Sequence, residues 1–342
     1  MGTATVGTEV SERVDAILRA LPGHPLLPAE QHDDLVLTGV HDEEFVAFLE
    51  TAHERWLAGP YVDLVGQDRV VPYFFPTPAL TQGMPAHDAA AFHALVGRYC
   101  YDTMSLIGPG TWAAARASVD CALTAVELVL AGEPAAYALC RPPGHHATRS
   151  GYGGSCYLNN AALAARELHL AGHERVAVLD LDAHHGNGTQ AIFWDEPDIL
   201  YGSVHVDPGA GWFPHIFGYA DERGGPAAPG ATLNLPLSEG SGDDDWLTAV
   251  DELAEWVSAD WATAEGTTAL VVSLGVDAAA ADPESPLLVT DAGYRAAGVI
   301  LGGLGVPSVI VQEGGYHLPS LGGLVAGYLA GHEQGARDRS RR

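Results

Sequence analysis

Short apolar runs rich in β-branched residues recur along this chain, and longer Ala/Leu-rich stretches separate them. The short runs predict strands at Ala135–Leu139, Val176–Asp182, Ile199–Val206, Thr268–Leu274 and Val306–Gln312. The longer stretches predict helices at Thr111–Leu130, Asn160–Ala171, Asp244–Thr263 and Asp291–Leu304, with a first helix near Ser11–Leu21. Continuous apolar strands alternating with helices make an α/β protein with a parallel sheet covered on both faces. No internal repeat and no linker divides the chain, so residues 1–342 read as a single domain. Gly224–Gly230 reads as a surface loop, and the basic tail Arg337–Arg342 as a frayed end. Residues 66–97, with four prolines (Pro72, Pro76, Pro78, Pro85) and several aromatics, read as a long ordered excursion of the kind that often carries function.

The polar positions that break this pattern follow the strands. Ligands of open α/β sheets bind beyond the strands' carboxyl ends, so these clusters converge. After Val176–Leu179 comes Asp180-Leu-Asp182-Ala-His184-His185-Gly-Asn187-Gly-Thr189. Alternate residues of a strand share a face, so Asp182 and His184 can grip one metal ion, with Asp180 one step deeper. Buried charge costs several kcal/mol, on the order of a large share of a domain's stability, unless it is paired or metal-bound. A polar strand end with an Asx turn is the bland alternative, and three aligned polar residues outweigh it. Arg141-Pro-Pro-Gly-His145-His146 places tandem imidazoles in a loop, suited to acid–base work; alone, such a pair is usually a surface accident. Asp277, after Val271-Val-Ser-Leu-Gly-Val, is a third ligand candidate only because a catalytic metal needs one; otherwise it is a turn residue. In Glu313-Gly314-Gly315-Tyr316 the glycines allow close backbone approach, and the Tyr316 hydroxyl could donate to a polarised carbonyl.

Composition narrows the choices. Hydrophobic residues make up 47% and charged residues 18%, enough for a sizeable core. No apolar run approaches the ~20 residues of a membrane span, and the first residues form neither a secretory leader nor a myristoylation signal. Four widely spaced cysteines form neither a zinc-type pair nor a disulfide framework, which points to a reducing cytoplasm. The net charge of −28, with arginine as the only Lys/Arg type, repels nucleic acid and favours a cationic small molecule or basic peptide. The same charge also serves plain solubility.

Taken together, His145-His146, the Asp180–Thr189 motif, Ser273-Leu-Gly-Val-Asp277 and Glu313-Gly-Gly-Tyr316 resemble the zinc-dependent histone deacetylase family. The stretches His205–Glu222 and Phe48–Trp56 are similar to its acetylpolyamine amidohydrolase branch. The resemblance runs from about residue 10 to about residue 332. It implies the arginase–deacetylase fold, with a mostly parallel eight-stranded sheet. It implies one Zn²⁺ (or Fe²⁺) on Asp182, His184 and Asp277. His146 would move the proton, His145 would tune charge beside it, Asp180 and Asn187 would orient the two histidines, and Tyr316 would stabilise the oxyanion. A structural K⁺ is implied at Asp180, Asp182, His184, Ser203 and Val204. The substrate channel would be formed by Gly154, Ser155, Phe213, Gly314 and Gly315. Segment 66–97 resembles the insert through which acetylpolyamine enzymes pair, which implies a homodimer. The implied activity removes an acyl group from a small-molecule amine.

The departures surround the substrate. Ser155 stands where the family commonly has an aromatic, His93 and Met104 stand where the acetylpolyamine enzymes carry glutamates, and a bulkier pair after Asp277 is replaced by Ala278–Ala281. The comparison with the family pattern also predicts that a wall-forming loop before the first helix is absent. Each change predicts a wider site and a bulkier acylated amine. A binuclear manganese ureohydrolase is disfavoured because Gly275-Val-Asp277 supplies too few carboxylates. A protein lysine deacetylase and a non-catalytic binding protein are the other readings; intact His145, His146 and Tyr316 oppose the last.

Overall fold

The computed structural model describes residues 7–60, 66–85, 87 and 89–341. Ten α-helices appear among them: α1 (Glu12–Ala20), α2 (Glu43–Leu57), α3 (Pro78–Thr81), α4 (Val96–Tyr99), α5 (Thr111–Leu130), α6 (Asn160–Leu170), α7 (Asn187–Phe193), α8 (Asp243–Trp261), α9 (Asp291–Gly302) and α10 (Leu318–Ser340). The strands are β1 (Ala135–Ala138), β2 (Arg175–Asp180), β3 (Ile199–Val206), β4 (Thr232–Leu237), β5 (Thr268–Leu274) and β6 (Ser308–Gln312). They form one sheet in the order β1-β6-β5-β2-β3-β4, with every neighbouring pair parallel.

Strand alternation divides the core in two. Val176, Val178, Val271 and Val309 face a layer built on α2, α5 and α6. Ala177, Leu179, Leu270, Val272 and Ile310 face α1, α8, α9 and α10. Both faces are therefore dry, which is why the strands read as unbroken apolar runs. Side-chain caps fix where helices begin: Asn159 accepts from the Ala162 N–H at α6, and Thr290 from the Gly293 N–H at α9.

Three expectations need correction. The sheet has six strands among the described residues, not eight. Of these, β4 escapes the apolar pattern because Asn234 and Pro236 interrupt it; its carboxyl end is only partly buried at the sheet edge. Asp182 and His184 lie beyond β2, which ends at Asp180, so a turn brings them together and not the strand's alternation. The tail is not frayed through 337–340, because α10 runs to Ser340. Arg337 pairs with Glu333 one turn earlier, and Arg339 donates to the Gly303 carbonyl (3.0 Å) at the end of α9. Residues 224–230 form a loop as expected, and the described part of 66–97 carries only α3, a 3₁₀ turn at Phe92–Ala94 and part of α4. The four cysteines are free.

Candidate active site

The adjacent strands β1, β6, β5 and β2 present their carboxyl ends together, and the four polar clusters of the sequence meet there. Asp180 closes β2 fully buried. Its Oδ2 accepts from His145 Nδ1 (3.0 Å) and from the Tyr201 hydroxyl (3.2 Å), and its Oδ1 from the Asp182 N–H (3.2 Å). Asn187, the first residue of α7, offers Oδ1 to His146 Nδ1 at 2.8 Å. An amide oxygen can only accept, so His146 carries its proton on Nδ1 and leaves Nε2 as a base. The two imidazole centroids are 3.9 Å apart.

Different partners drive the twin histidines apart. Burial lowers the pKa of His145, but Asp182 and Asp180 outweigh it and push it up to about 10. Burial, reinforced by the neighbouring His145 and His184, holds His146 well below the ordinary imidazole value. The two rings are biased in opposite directions, His145 toward the cation and His146 toward the neutral form, and such a split suits them to different acid–base roles.

Beside them, Asp182, His184 and Asp277 place one ligand atom each within 4.8 Å of one another. His184 Nδ1 lies 3.0 Å from Asp277 Oδ2 and 3.2 Å from Asp182 Oδ1. The second carboxylate oxygens are taken by backbone: Asp182 Oδ2 by the Gly314 N–H (2.8 Å), Asp277 Oδ1 by the Ala183 N–H (2.8 Å). The donor set fits a divalent metal of the zinc type: one imidazole and two carboxylates, the carboxylates oriented by backbone hydrogen bonds. Charge balance supports the fit. Burial and the charge of Asp182 push Asp277 up to about 7, so two such carboxylates side by side favour a cation between them, a place His184 Nδ1 takes here. A second group, His145, Cys156 and Glu313, also comes within 4.8 Å. Glu313 Oε2 there accepts the backbone N–H groups of Gly144 (2.7 Å) and His145 (3.2 Å), so it serves to hold the histidine loop.

Tyr316 follows β6. Burial raises its pKa well above 10, so it remains a hydroxyl donor. The loop carrying it is held from α1, where the buried Arg13 donates to the carbonyls of Gly315 (2.7 Å) and Glu313 (2.5 Å). The Arg13 guanidinium also lies over the Tyr316 ring, 4.9 Å from its centroid.

The channel residues divide. Gly154, at φ +56°, packs against His146 and Phe213; a Cβ there would lie 2.4 Å from His146 Cδ2 and 2.9 Å from Phe213 Cε1. Phe213 meets His146 edge-on at 4.7 Å. Ser155 is half-buried at φ +63°, its N–H on Ser105 Oγ at 2.8 Å. The aromatic absent from position 155 has a counterpart that sequence reasoning missed. Tyr101 stacks near-parallel to Phe213 (6.4 Å, 15°), and its hydroxyl donates to the His146 carbonyl at 2.7 Å. It also borders a cleft of about 450 Å³ lined by Phe75, Thr77, Arg98 and Gly151. Met104 is exposed, and His93 lies against Tyr73 at 5.8 Å. Gly314 sits against the metal-ligand group, its N–H on Asp182 Oδ2 and a Cβ there 2.5 Å from both Asp182 Oδ2 and Asp277 Oδ2, whereas Gly315 packs against Val276 and Leu321. Of the residues implied for K⁺, Asp180 and Ser203 are in register on β2 and β3, with Ser203 Oγ 2.8 Å from His205 Nδ1, and Asp182 and His184 lie in the turn after β2. Arg13, buried 302 positions from its partner Gly315, was also missed.

Fold and site together fit a hydrolase with a candidate metal-binding group at the carboxyl edge of a parallel α/β sheet. The histone deacetylase domain profile matches residues 8–331. The chain belongs to the histone deacetylase family. It is 40% identical over 304 residues to the acetylpolyamine amidohydrolase of Mycoplana ramosa, covering 89% of this chain and 84% of that protein. It is 40% identical over 322 residues to the acetylpolyamine amidohydrolase of Burkholderia pseudomallei, covering 94% and 89%. The crystal structure of acetylpolyamine aminohydrolase from Burkholderia pseudomallei superposes with a TM-score of 0.89 at 38% identity, covering 98% of this chain and 94% of that one. The chain is thus an enzyme, a deacetylase-type amidohydrolase.

Proposed function

We propose that the enzyme removes an acetyl group from a small acetylated amine of the polyamine type, with Zn²⁺ held by Asp182, His184 and Asp277. The observation that carries this reading is the pair of adjacent histidines, one held at Nδ1 by the Asp180 carboxylate and the other by the Asn187 amide oxygen, beside that donor set. When bound, the metal supplies Lewis acidity toward the amide carbonyl and the attacking water. His146, neutral and held through Nδ1 by Asn187, takes the water's proton at Nε2 and returns it to the leaving amine. The His145 cation, held by Asp180, steadies the negative charge that develops nearby. The Tyr316 hydroxyl donates to the carbonyl oxygen as its charge grows. Phe213 and Tyr101 line the approach with aromatic faces, and the acidic protein attracts a cationic substrate. The relatives named for acetylpolyamines support this substrate class.

A bulkier acylated amine is the second reading, favoured by His93 and the exposed Met104 standing where the acetylpolyamine enzymes carry glutamates; Tyr101 offsets the wall lost at Ser155. We further propose K⁺ at Asp180, Asp182, His184, Ser203 and Val204, a homodimer formed through segment 66–97, and a cytoplasmic location. Among the described residues no helix is long and apolar enough to cross a membrane. The purified enzyme should be assayed on acetylputrescine, acetylspermidine, acetyl-lysine peptides and larger amides, with metal analysis of the same sample. About one zinc per chain and fastest turnover of the acetylated diamines are expected, following the single donor set. Faster turnover of peptides, or two manganese ions per chain, would overturn the reading.

A further inference from the structure

The loop that carries Tyr316 is gripped on two sides by side chains of opposite charge. Arg13 takes its carbonyls, as described. Its N–H groups point the other way: Asp282 Oδ2 accepts from both the Tyr316 N–H (2.6 Å) and the His317 N–H (3.0 Å). Gly315 makes this possible. Its φ of +118° turns the chain so that the next two N–H groups converge on one acceptor, a small anion-holding nest. A Cβ at Gly315 would lie 2.5 Å from Val276 Cγ2, so no other residue fits the turn without displacement. Asp282 is itself held firmly. It is buried, its N–H bonds the Ala279 carbonyl (2.9 Å), and its Oδ1 accepts from the Glu284 N–H (3.1 Å). It stands five positions past Asp277 in the same loop, so one segment carries both a metal-ligand candidate and the anchor of the tyrosine.

We propose that Asp282 is a positioning residue for Tyr316. By holding the Tyr316 and His317 peptides, it sets where the phenol hydroxyl stands relative to Asp182, His184 and Asp277. The proposal rests on Tyr316 acting as the hydroxyl donor. Carboxylate hydrogen bonds to backbone N–H groups are about twice as strong as neutral ones, which suits a loop that must not drift. An error of about 1 Å in such a donor costs on the order of 100-fold in rate. Asp282 touches no reacting atom, so its effect should appear only through the tyrosine.

The test is a double-mutant cycle on the zinc-loaded full chain with acetylputrescine and a fluorogenic acetyl-lysine amide as probes. Tyr316→Phe alone examines the underlying reading: full activity in that variant would remove the catalytic tyrosine and this proposal with it. If Tyr316→Phe is impaired, Asp282→Ala should lower kcat about 10- to 100-fold with little change in KM or zinc content. In the Tyr316→Phe background the same substitution should cost less than about 3-fold, because there is no hydroxyl left to misplace. Asp282→Asn keeps one oxygen able to accept both N–H groups, so it should recover most of kcat; it also serves if the alanine variant does not fold. Equal losses from the Asp282 substitution in both backgrounds, or a kcat loss matched by lost zinc, would overturn the proposal.

Discussion

The catalytic floor and the mouth of the site are built by different rules. On the floor, His145, His146, Asp180, Asp182, Asp277 and Glu313 are all buried, and each is held by a partner from another strand end. At the mouth, beside Phe213, Tyr101 is 38% exposed with its hydroxyl bonded to the His146 carbonyl, and Met104, three residues along the chain, is 68% exposed. Buried electrostatics are strong and intolerant, because an unpaired charge there has no water to fall back on. Exposed surfaces change at little cost. Reaction chemistry therefore lives on the floor, while substrate choice is left to the mouth.

Substitutions in the two regions should fail differently. The largest expected effect is Tyr316→Phe, which should reduce kcat about 100- to 1,000-fold with zinc content unchanged; steady-state kinetics with metal analysis checks it, and a KM effect alone would blur the division. Next comes the charge split of the histidines. His146 is held neutral down to well below pH 6.5, so the acid limb of kcat/KM lies below that pH. Replacing Asn187 with Asp puts a carboxylate on Nδ1–H, favours the imidazolium, and should carry the limb to higher pH. A pH–rate profile with an unmoved limb would break the assignment of His146 as base. At the mouth, Tyr101→Ala should raise KM for acetylputrescine about 3- to 10-fold with kcat nearly unchanged, as expected for one lost aromatic contact. A kcat loss instead would show that Tyr101 acts on the floor through the His146 carbonyl. The smallest effect is Met104→Glu, which should lower KM for a polyamine about 2- to 5-fold at low salt and lose that gain at high salt. KM measured at two ionic strengths decides it.

Legibility in the sequence follows the same division. The strands β1, β2, β3, β5 and β6 are visible as apolar runs because both sheet faces are covered, and only the edge strand β4 is hidden by its polar residues. The floor was legible because each of its residues ends such a strand or lies in the loop after it. The mouth was read only by its deficits. Ser155 pointed to a missing wall, yet Tyr101, from a segment 54 positions earlier, stands beside Phe213. Nothing in the pattern around Tyr101 marks it, since its role depends on a turn in which Asp102 bonds the Gly154 N–H at 2.6 Å.

By itself the sequence determined the parallel α/β sheet, the convergence of its polar strand ends, and the residue types for metal binding and proton transfer. Those properties depend on local periodicity and on the rule that parallel strands present their carboxyl ends at one edge. Only the tertiary structure decided which histidine is biased toward the neutral form, how Arg13 and Asp282 grip the tyrosine loop, and where Tyr101 stands. Each of these depends on contacts between distant segments: Arg13 reaches Gly315 across 302 positions, and His146 meets Asn187 across 41. A pKa or a side-chain position set by such contacts follows from burial and partner charge, which exist only once the chain has closed.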